Sequence, residues 1–254
     1  MKRIIVVTSG KGGVGKTTTA INLSAAINKF GKDVLLIDAN LTTPNVGIHL
    51  NSPEVPVNLN HVLQKKAYPF ESVYEHESGL KIVPASLSVK ELKKIKHNKI
   101  KDFKKDFLEI SDYVIFDSAA GLGDEALSAI DASDDLIIVT NPEMPAITDA
   151  LKTIKLAEEM KKNVHGVIIT RVRKNKSELG PEIVKDMLEV PILGMIPEDT
   201  KLQESLRLKD AIIHTHPKSK PSRAYKEIAA KIIGVPYDSK TDRPSIFERL
   251  KRRY

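Results

Sequence analysis

The sequence predicts an α/β fold in which a single doubly wound, mostly parallel sheet is flanked by helices. Short, continuously apolar, β-branched runs alternate with helical stretches along most of the 254 residues. A strand that reads as an unbroken apolar run is buried on both faces, which is typical of parallel sheets. The repeated alternation, without an internal repeat or a mid-chain linker, favours one sheet covered by helices on both sides.

Seven apolar runs are predicted as strands. In chain order they are Ile4–Val7, Val34–Ile37, Leu80–Val83, Tyr113–Phe116, Leu136–Val139, Val164–Ile169 and Pro191–Ile196. The stretches predicted as helices are Thr17–Phe30, Ser88–Ile110, Asp124–Asp131, Ala146–Lys161, Pro181–Leu188 and Ser222–Ile233. Ser88 and Glu91 have the spacing of a capping box, and Pro181 suits a first helical position because the N–H that it lacks has no partner there.

The composition changes once along the chain, after Ile233. We therefore predict a globular domain over residues 1–233, a polar, turn-rich tether over 234–244 and a short basic amphipathic segment over 245–254. The content of 41% hydrophobic residues suffices for a substantial core in the first part.

The charge and cysteine content exclude several classes of function. The chain contains no cysteine, which excludes disulfide scaffolds, thiolate zinc sites, iron–sulfur ligation and cysteine nucleophiles. Its formal net charge of +7 favours anionic partners such as nucleotides, nucleic acids or acidic membranes. The first apolar run, Ile4–Val7, is too short for a signal peptide, so we expect a cytoplasmic protein.

A glycine-rich segment follows the first predicted strand. Residues 10–17 read Gly-Lys-Gly-Gly-Val-Gly-Lys-Thr, the phosphate-binding pattern of glycine, four residues, glycine, lysine and serine or threonine. Glycines let backbone N–H groups turn towards phosphate oxygens, and the following helix adds the partial positive charge of its N-terminus. In such a loop Lys16 neutralises the β- and γ-phosphates, and the Thr17 hydroxyl binds Mg²⁺. The segment therefore predicts a site for ATP or ADP with Mg²⁺.

Lys11 is a second lysine, at the start of this loop. One lysine at the end suffices for an ordinary phosphate-binding loop, so a lysine on the outer lip is available to a nucleotide bound by another copy. The run from Lys11 to Thr18 resembles the deviant Walker A motif of the MinD/ParA family of ATPases, and the resemblance extends from Lys2 to about Ile233. It implies a homodimer with ATP, in which Lys11 of each copy contacts the phosphates of the other.

Carboxylates end two predicted strands in the order that the resemblance implies. Asp38 and Asn45 match the first switch segment of the family, but Asn40 stands where the family has a second aspartate. Asp117 ends the fourth predicted strand, the Walker B arrangement. The resemblance implies that Asp117 and Asp38 bind Mg²⁺ through water, and oxygen ligands are those that this hard cation prefers.

The resemblance also implies which residues contact the nucleotide. The residues predicted to bind it are Gly10, Lys11, Gly12, Gly13, Val14, Gly15, Lys16, Thr17, Thr18, Asn45, Asn141, Arg171, Pro197, Glu198 and Asp199. The last five follow later strands and resemble segments that lie near the base in the family. Arg171 has the planar guanidinium that can stack on adenine.

The implied reaction is hydrolysis of ATP to ADP and phosphate. The predicted catalytic residues are Lys11, Lys16, Asp38 and Asn40, with charge on the transferred phosphoryl group offset by lysines, Mg²⁺ and backbone N–H groups. Because a second copy supplies Lys11, we expect slow hydrolysis in the monomer. Asn40 lacks a carboxylate but can orient a water by hydrogen bonding, so we expect a long-lived ATP state.

The last ten residues predict a membrane contact. If they form a helix, Ile246, Phe247, Leu250 and Tyr254 share one face, surrounded by Arg249, Lys251, Arg252 and Arg253. Short basic amphipathic ends bind anionic membranes weakly, and two in a dimer add avidity. The segment resembles the membrane-targeting tail of MinD-type proteins, which implies a peripheral location on the inner face of the membrane. A helix docked on its own domain and a disordered basic end are the alternatives.

Four functions remain open at this point. The first is a MinD-type ATPase that cycles between a monomer and a membrane-bound dimer and positions an unidentified activating or cargo protein. The second is a ParA-type ATPase that binds DNA, and the third is a metabolic enzyme of the same fold, for which no set of substrate residues is evident. The fourth is a nucleotide-gated binding module with negligible hydrolysis, in which Asn40 holds ATP without cleaving it.

Overall fold

The computed structural model describes residues 2–52, 55–88, 97–173, 175, 178–239 and 242. The basic segment 245–254 and the capping residue Glu91 lie outside the described residues, so the predictions made for them stay predictions.

An eight-stranded sheet forms the centre of the described fold. Its strands are β1 (Arg3–Ser9), β2 (Val34–Ala39), β3 (Tyr74–Glu75), β4 (Lys81–Val83), β5 (Tyr113–Ala120), β6 (Asp135–Thr140), β7 (Asn163–Val172) and β8 (Ile192–Pro197). They lie in the order β3-β4-β2-β5-β1-β6-β7-β8. All neighbouring pairs are parallel except β3 with β4, which are antiparallel. The predicted α/β class and its mostly parallel sheet are confirmed.

Ten α-helices connect and cover these strands in the described part of the chain. They are α1 (Lys16–Lys29), α2 (Val46–His49), α3 (Leu59–Leu63), α4 (Lys104–Ile110), α5 (Asp124–Ala132), α6 (Met144–Glu159), α7 (Pro181–Leu188), α8 (Thr200–Arg207), α9 (Ile212–Thr215) and α10 (Lys220–Ile233). Short 3-10 helices occupy Pro69–Ser72 and His97–Phe103. Pro181 is at the start of α7, as predicted.

Alternate strand residues face two different helical layers. Ile5 and Val7 of β1 pack with apolar residues of α1, α9 and α10. Ile4 and Val6 point to the other face, where the core is completed by residues of α3, α4 and α5. β1, β2 and β6 are buried along almost their whole length, because helices cover the sheet on both sides. This explains why the strands read as continuous apolar runs.

Some elements differ from the sequence prediction. β3 is a two-residue edge strand without an apolar run, and it was not predicted. The predicted helix Ser88–Ile110 is, in its described part, a 3-10 helix followed by the seven residues of α4. The polar helix α8 was also missed, since among its residues only Ser205 is buried.

The predicted tether packs against the domain over its described residues. The Tyr237 ring meets Phe30, at the end of α1, edge to face, with 5.6 Å between ring centroids. Asp242 accepts hydrogen bonds from Lys226 Nζ at 2.6 Å and from Tyr237 Oη at 2.7 Å. The chain therefore stays on the surface of α1 and α10 well beyond the end of α10. None of the helices in the described part of the chain is long and apolar enough to cross a membrane.

Candidate nucleotide-binding site

The glycine-rich loop joins β1 to α1 at the edge of the sheet where the parallel strands end. Gly10 is fixed by close packing, because a Cβ atom there would lie 2.3 Å from the backbone oxygen of Asp149. Gly15 caps α1 with a φ of +88°, a left-handed conformation that favours glycine. The loop therefore directs the chain into α1 so that the N-terminus of this helix faces the candidate site.

Hydrogen bonds from other elements hold the loop in place. Thr170 Oγ1, in β7, donates to the Val14 carbonyl at 2.5 Å. The same Oγ1 atom lies 2.8 Å from Asn141 Oδ1. The hydroxyl of Ser9 donates to the Lys11 carbonyl at 3.0 Å. Asn141 therefore contacts the loop indirectly, through Thr170. Its predicted contact with the nucleotide base stays a prediction.

The end of the loop meets the carboxylate of Asp117, in the second half of β5. Lys16 Nζ donates to Asp117 Oδ1 at 3.0 Å and also to the Ser118 carbonyl. Thr17 Oγ1 donates to Asp117 Oδ2 at 2.6 Å. The Lys16 side chain is 8% exposed and that of Asp117 is fully buried, so this is a desolvated ion pair. The structure brings together two residues of the glycine-rich motif and the aspartate predicted from a separate strand motif.

Strand register places Asp38 beside Asp117. The two aspartates are partners in the parallel pair of β2 and β5. Asp38 is fully buried and accepts backbone N–H bonds from Asn40 at 3.2 Å, Asn45 at 2.9 Å and Val46 at 2.9 Å. These donors favour the charged form, but burial and the neighbouring Asp117 carboxylate raise the pKa of Asp38 to about 8.

This donor set fits Mg²⁺. The Thr17 hydroxyl and two buried carboxylates are oxygen ligands, which the ion prefers over nitrogen or sulfur. A divalent cation also compensates the repulsion between Asp38 and Asp117 that appears in the raised pKa of Asp38.

Asn40 is bound within its own loop. Its Oδ1 accepts from Thr43 N at 3.3 Å and from Thr43 Oγ1 at 3.1 Å, and its Nδ2 donates to the Thr43 carbonyl at 2.6 Å. An amide oxygen has two lone pairs, so both acceptor positions of Asn40 are engaged. Accepting a hydrogen bond from a water would require Asn40 to give up a bond to Thr43. Asn45 lies in the same loop, and its Nδ2 also donates to the Thr43 carbonyl, at 2.7 Å.

Lys11 and Lys16 point in different directions. Lys16 is buried against β5, whereas Lys11 is exposed on the outer lip and forms no ion pair with the described residues. Gly12 and Gly13 beside it are also exposed. The lip of the loop is therefore accessible from outside, and the predicted action of Lys11 on another copy stays a prediction.

A cavity of about 210 Å³ continues from the loop towards β7 and β8. Gly15, Thr18, Arg171, Glu198 and Asp199 line it, together with Tyr225 of α10. Five of these, all except Tyr225, were predicted near the nucleotide from sequence segments far apart. Pro197 lines a neighbouring cavity on the outer side of β8.

Two residues near this cavity were missed. Tyr225 is buried, and its hydroxyl lies 3.2 Å from Thr19 Oγ1 of α1. Arg173 forms a two-bond ion pair with Glu198, in which Nη2 donates to Oε1 at 3.1 Å. Tyr225 carries no local motif, and Arg173 follows Arg171 by two residues in a polar stretch that gives no signal for pairing.

Comparisons with known proteins decide the family. A family model described as ParA, NUBPL iron-transfer P-loop NTPase, matches residues 1–233. The chain belongs to this ParA family of P-loop NTPases. It is 37% identical to an uncharacterised ATP-binding protein of Methanocaldococcus jannaschii over 235 residues, which are 92% of this chain and 89% of that protein.

Two further ParA-family relatives carry the name MinD. The septum site-determining protein MinD of Synechocystis is 31% identical over 263 residues, covering 100% of this chain and 98% of that protein. The structure of MinD from Pyrococcus horikoshii, complexed with Mg-ADP, aligns with a TM-score of 0.88 and 31% identity, covering 91% of this chain and 96% of that chain.

ATP and Mg²⁺ are the cofactors of P-loop NTPases in this family. The description of the family model includes iron transfer. The 254 residues of this chain contain no cysteine and so no thiolate for an iron–sulfur cluster.

Proposed function

We propose that this chain is a MinD-type ATPase that binds ATP with Mg²⁺, dimerises around the nucleotide and associates reversibly with a membrane to position a partner protein. The observation that supports this proposal most strongly is the pair of lysines on one loop. Lys16 is buried against Asp117, and Lys11 is exposed on the lip. An ordinary phosphate-binding loop uses one lysine.

The residues of the site have separate tasks in this proposal. The loop 10–15 and the N-terminus of α1 bind phosphate oxygens. Thr17, Asp117 and Asp38 hold Mg²⁺, which supplies positive charge for the phosphates. Lys16 exchanges its contact with Asp117 for the β- and γ-phosphates, since the cation takes over the compensation of that carboxylate. Arg171, Glu198 and Asp199 surround the base.

Dimerisation completes the site. Lys11 of the partner adds a charge at the phosphates, where little water remains and an electrostatic contact is strong. Each copy then needs the other for efficient hydrolysis, so turnover is slow at low protein concentration.

The acceptor atoms of Asn40 favour a second candidate, the nucleotide-gated binding module. Both lone pairs of Asn40 Oδ1 are engaged by Thr43. If no other group orients the attacking water, ATP acts as a ligand that switches dimerisation and is cleaved very slowly.

Membrane association rests on the segment 245–254. It carries four cationic side chains and one glutamate, next to three large apolar residues and a terminal tyrosine. Each cation near an anionic bilayer contributes about 1 kcal/mol, so two tails in a dimer bind far better than one.

Sedimentation with anionic liposomes tests the proposal, using the full chain and a variant that ends at Asp242. We expect the full chain to sediment with Mg·ATP and to stay in solution with Mg·ADP, and the shortened variant to stay in solution with both. Sedimentation that is independent of nucleotide or tail contradicts the membrane part. Retention on DNA that requires ATP and falls steeply with salt identifies the ParA-type alternative.

A further inference from the structure

A side chain outside the predicted motifs joins the loops that follow β2 and β5. Glu125 is the second residue of α5. Its Oε1 accepts from Thr42 N at 2.9 Å, and its Oε2 accepts from Thr42 Oγ1 at 2.7 Å. Both oxygens of one carboxylate are thus used on one residue, 83 positions away in the chain.

The contact links this loop to the helix that follows β5. Among the described residues, the other side-chain hydrogen bonds of residues 40–45 stay within Asp38–Val46. Glu125, in contrast, belongs to the helix that follows β5, and β5 carries Asp117, which contacts Lys16 and Thr17. Thr42 is therefore held by the helix that follows β5, the strand whose Asp117 contacts the residues predicted to bind phosphate.

The position of Glu125 suits its role as a hydrogen-bond acceptor. A carboxylate in the first turn of a helix is stabilised by the partial positive charge of the N-terminus. Hydrogen bonds to a charged acceptor are stronger than neutral ones. Asp124, the preceding residue, is exposed and shares the helix terminus, but it has no bond to Thr42.

We propose that Glu125 is a positioning residue for ATP hydrolysis. It fixes Thr42, and through the adjacent Thr43 it fixes the side chain of Asn40 relative to the phosphates. This inference rests on the proposed ATPase function. Because the contact is exposed, its loss changes the position of the loop more than the stability of the fold.

Single-turnover hydrolysis and nucleotide affinity of four variants test the inference. Glu125→Ala removes both bonds, Thr42→Val removes the hydroxyl bond but keeps the backbone N–H donor, and Thr42→Ser keeps both. Asp124→Ala is the matched control, because it removes a charge from the same helix end without touching Thr42. Melting temperatures establish that all four fold.

We expect Glu125→Ala and Thr42→Val to hydrolyse ATP about threefold to tenfold more slowly at saturating Mg·ATP, with nucleotide affinity unchanged. Thr42→Ser and Asp124→Ala should keep the wild-type rate. The double variant Glu125→Ala/Thr42→Val should be no slower than Glu125→Ala, since that single change already removes both bonds to Thr42.

Two kinds of failure are distinguishable. If the wild type hydrolyses ATP and both Glu125→Ala and Thr42→Val hydrolyse it at the same rate, the inference is overturned. The proposed ATPase function is then unaffected. Equal slowing by Asp124→Ala also overturns it, because helix-end charge would then be the cause. A wild type that binds Mg·ATP but hydrolyses none in single turnover contradicts the proposed hydrolysis and removes the positioning role with it.

Discussion

Asn40 is the residue at which this chain departs from the pattern that it otherwise follows. Its oxygen accepts two bonds from Thr43, and its nitrogen donates one. In Asn40→Asp, a carboxylate with about four acceptor sites keeps the Thr43 donors, loses the bond from Nδ2 to the Thr43 carbonyl, and has capacity left to accept from the attacking water. We expect Asn40→Asp to raise the single-turnover rate about tenfold, the range that a positioned proton acceptor begins to supply.

A charge-matched control separates this effect from a general increase in negative charge. Asn51→Asp adds the same charge outside the loop, at a side chain that accepts from Lys209 and can still do so. It should leave the rate unchanged. Equal rates in wild type and Asn40→Asp would mean that another group orients the water.

We expect Asp38 to couple the proposed binding of Mg²⁺ to the release of a proton. Burial and Asp117 raise its pKa to about 8, so the carboxyl is largely protonated at pH 7. A divalent cation favours the carboxylate, so the pKa falls on binding and a proton leaves. We expect Mg·ADP binding at pH 7 to release close to one proton per site, falling towards none above about pH 9.

Calorimetric titration in buffers of different ionisation enthalpy measures this release. Asp38→Asn, which cannot ionise, should release no proton on binding the nucleotide. Proton release that is equal in wild type and Asp38→Asn assigns it to another group.

At the level of elements, the contact between the predicted tether and α10 is the main addition to what the sequence predicted. The Lys226 side chain is 4% exposed, and Asp242 supplies its carboxylate partner. We expect Asp242→Asn to lower the free energy of unfolding by about 1–2 kcal/mol, because a buried ammonium loses a charged acceptor. Amide exchange over residues 235–239 should accelerate in the same variant.

The control for this contact is Asp186→Asn, at an exposed position of α7. It should change neither the unfolding free energy nor the exchange of the tether. If Asp242→Asn behaves like Asp186→Asn, the tether is not held by this ion pair.

Elements that bury continuous apolar runs were predictable, and those that do not were missed. The strands that form the middle of the sheet follow directly from their β-branched runs. β3 pairs through only two residues and has no periodicity to detect. Helix α8 is short and has only two apolar residues, Leu202 and Leu206, too few to predict a helix from the sequence.

For the molecule as a whole, the candidate site was predictable where each residue ends a strand. Parallel strands end at one edge of the sheet, so Lys16, Asp38 and Asp117 had to converge there once the fold was fixed. Contacts between distant segments were not predictable, because no local pattern encodes them. Glu125 with Thr42, Tyr225 with Thr19 and Lys226 with Asp242 are of this kind.

In the proposed dimer, Lys11 of each copy contacts the nucleotide of the other copy. Sedimentation velocity of the wild type and Lys11→Ala with Mg·ATP tests this dimerisation most directly. We expect the 28.1 kDa chain to dimerise with Mg·ATP but not with Mg·ADP. Lys11→Ala should bind the nucleotide with wild-type affinity and remain a monomer, because it lacks the contact to the phosphates of a second copy. A wild type that is saturated with Mg·ATP and still monomeric, or a Lys11→Ala variant that dimerises as well as the wild type, would contradict the account.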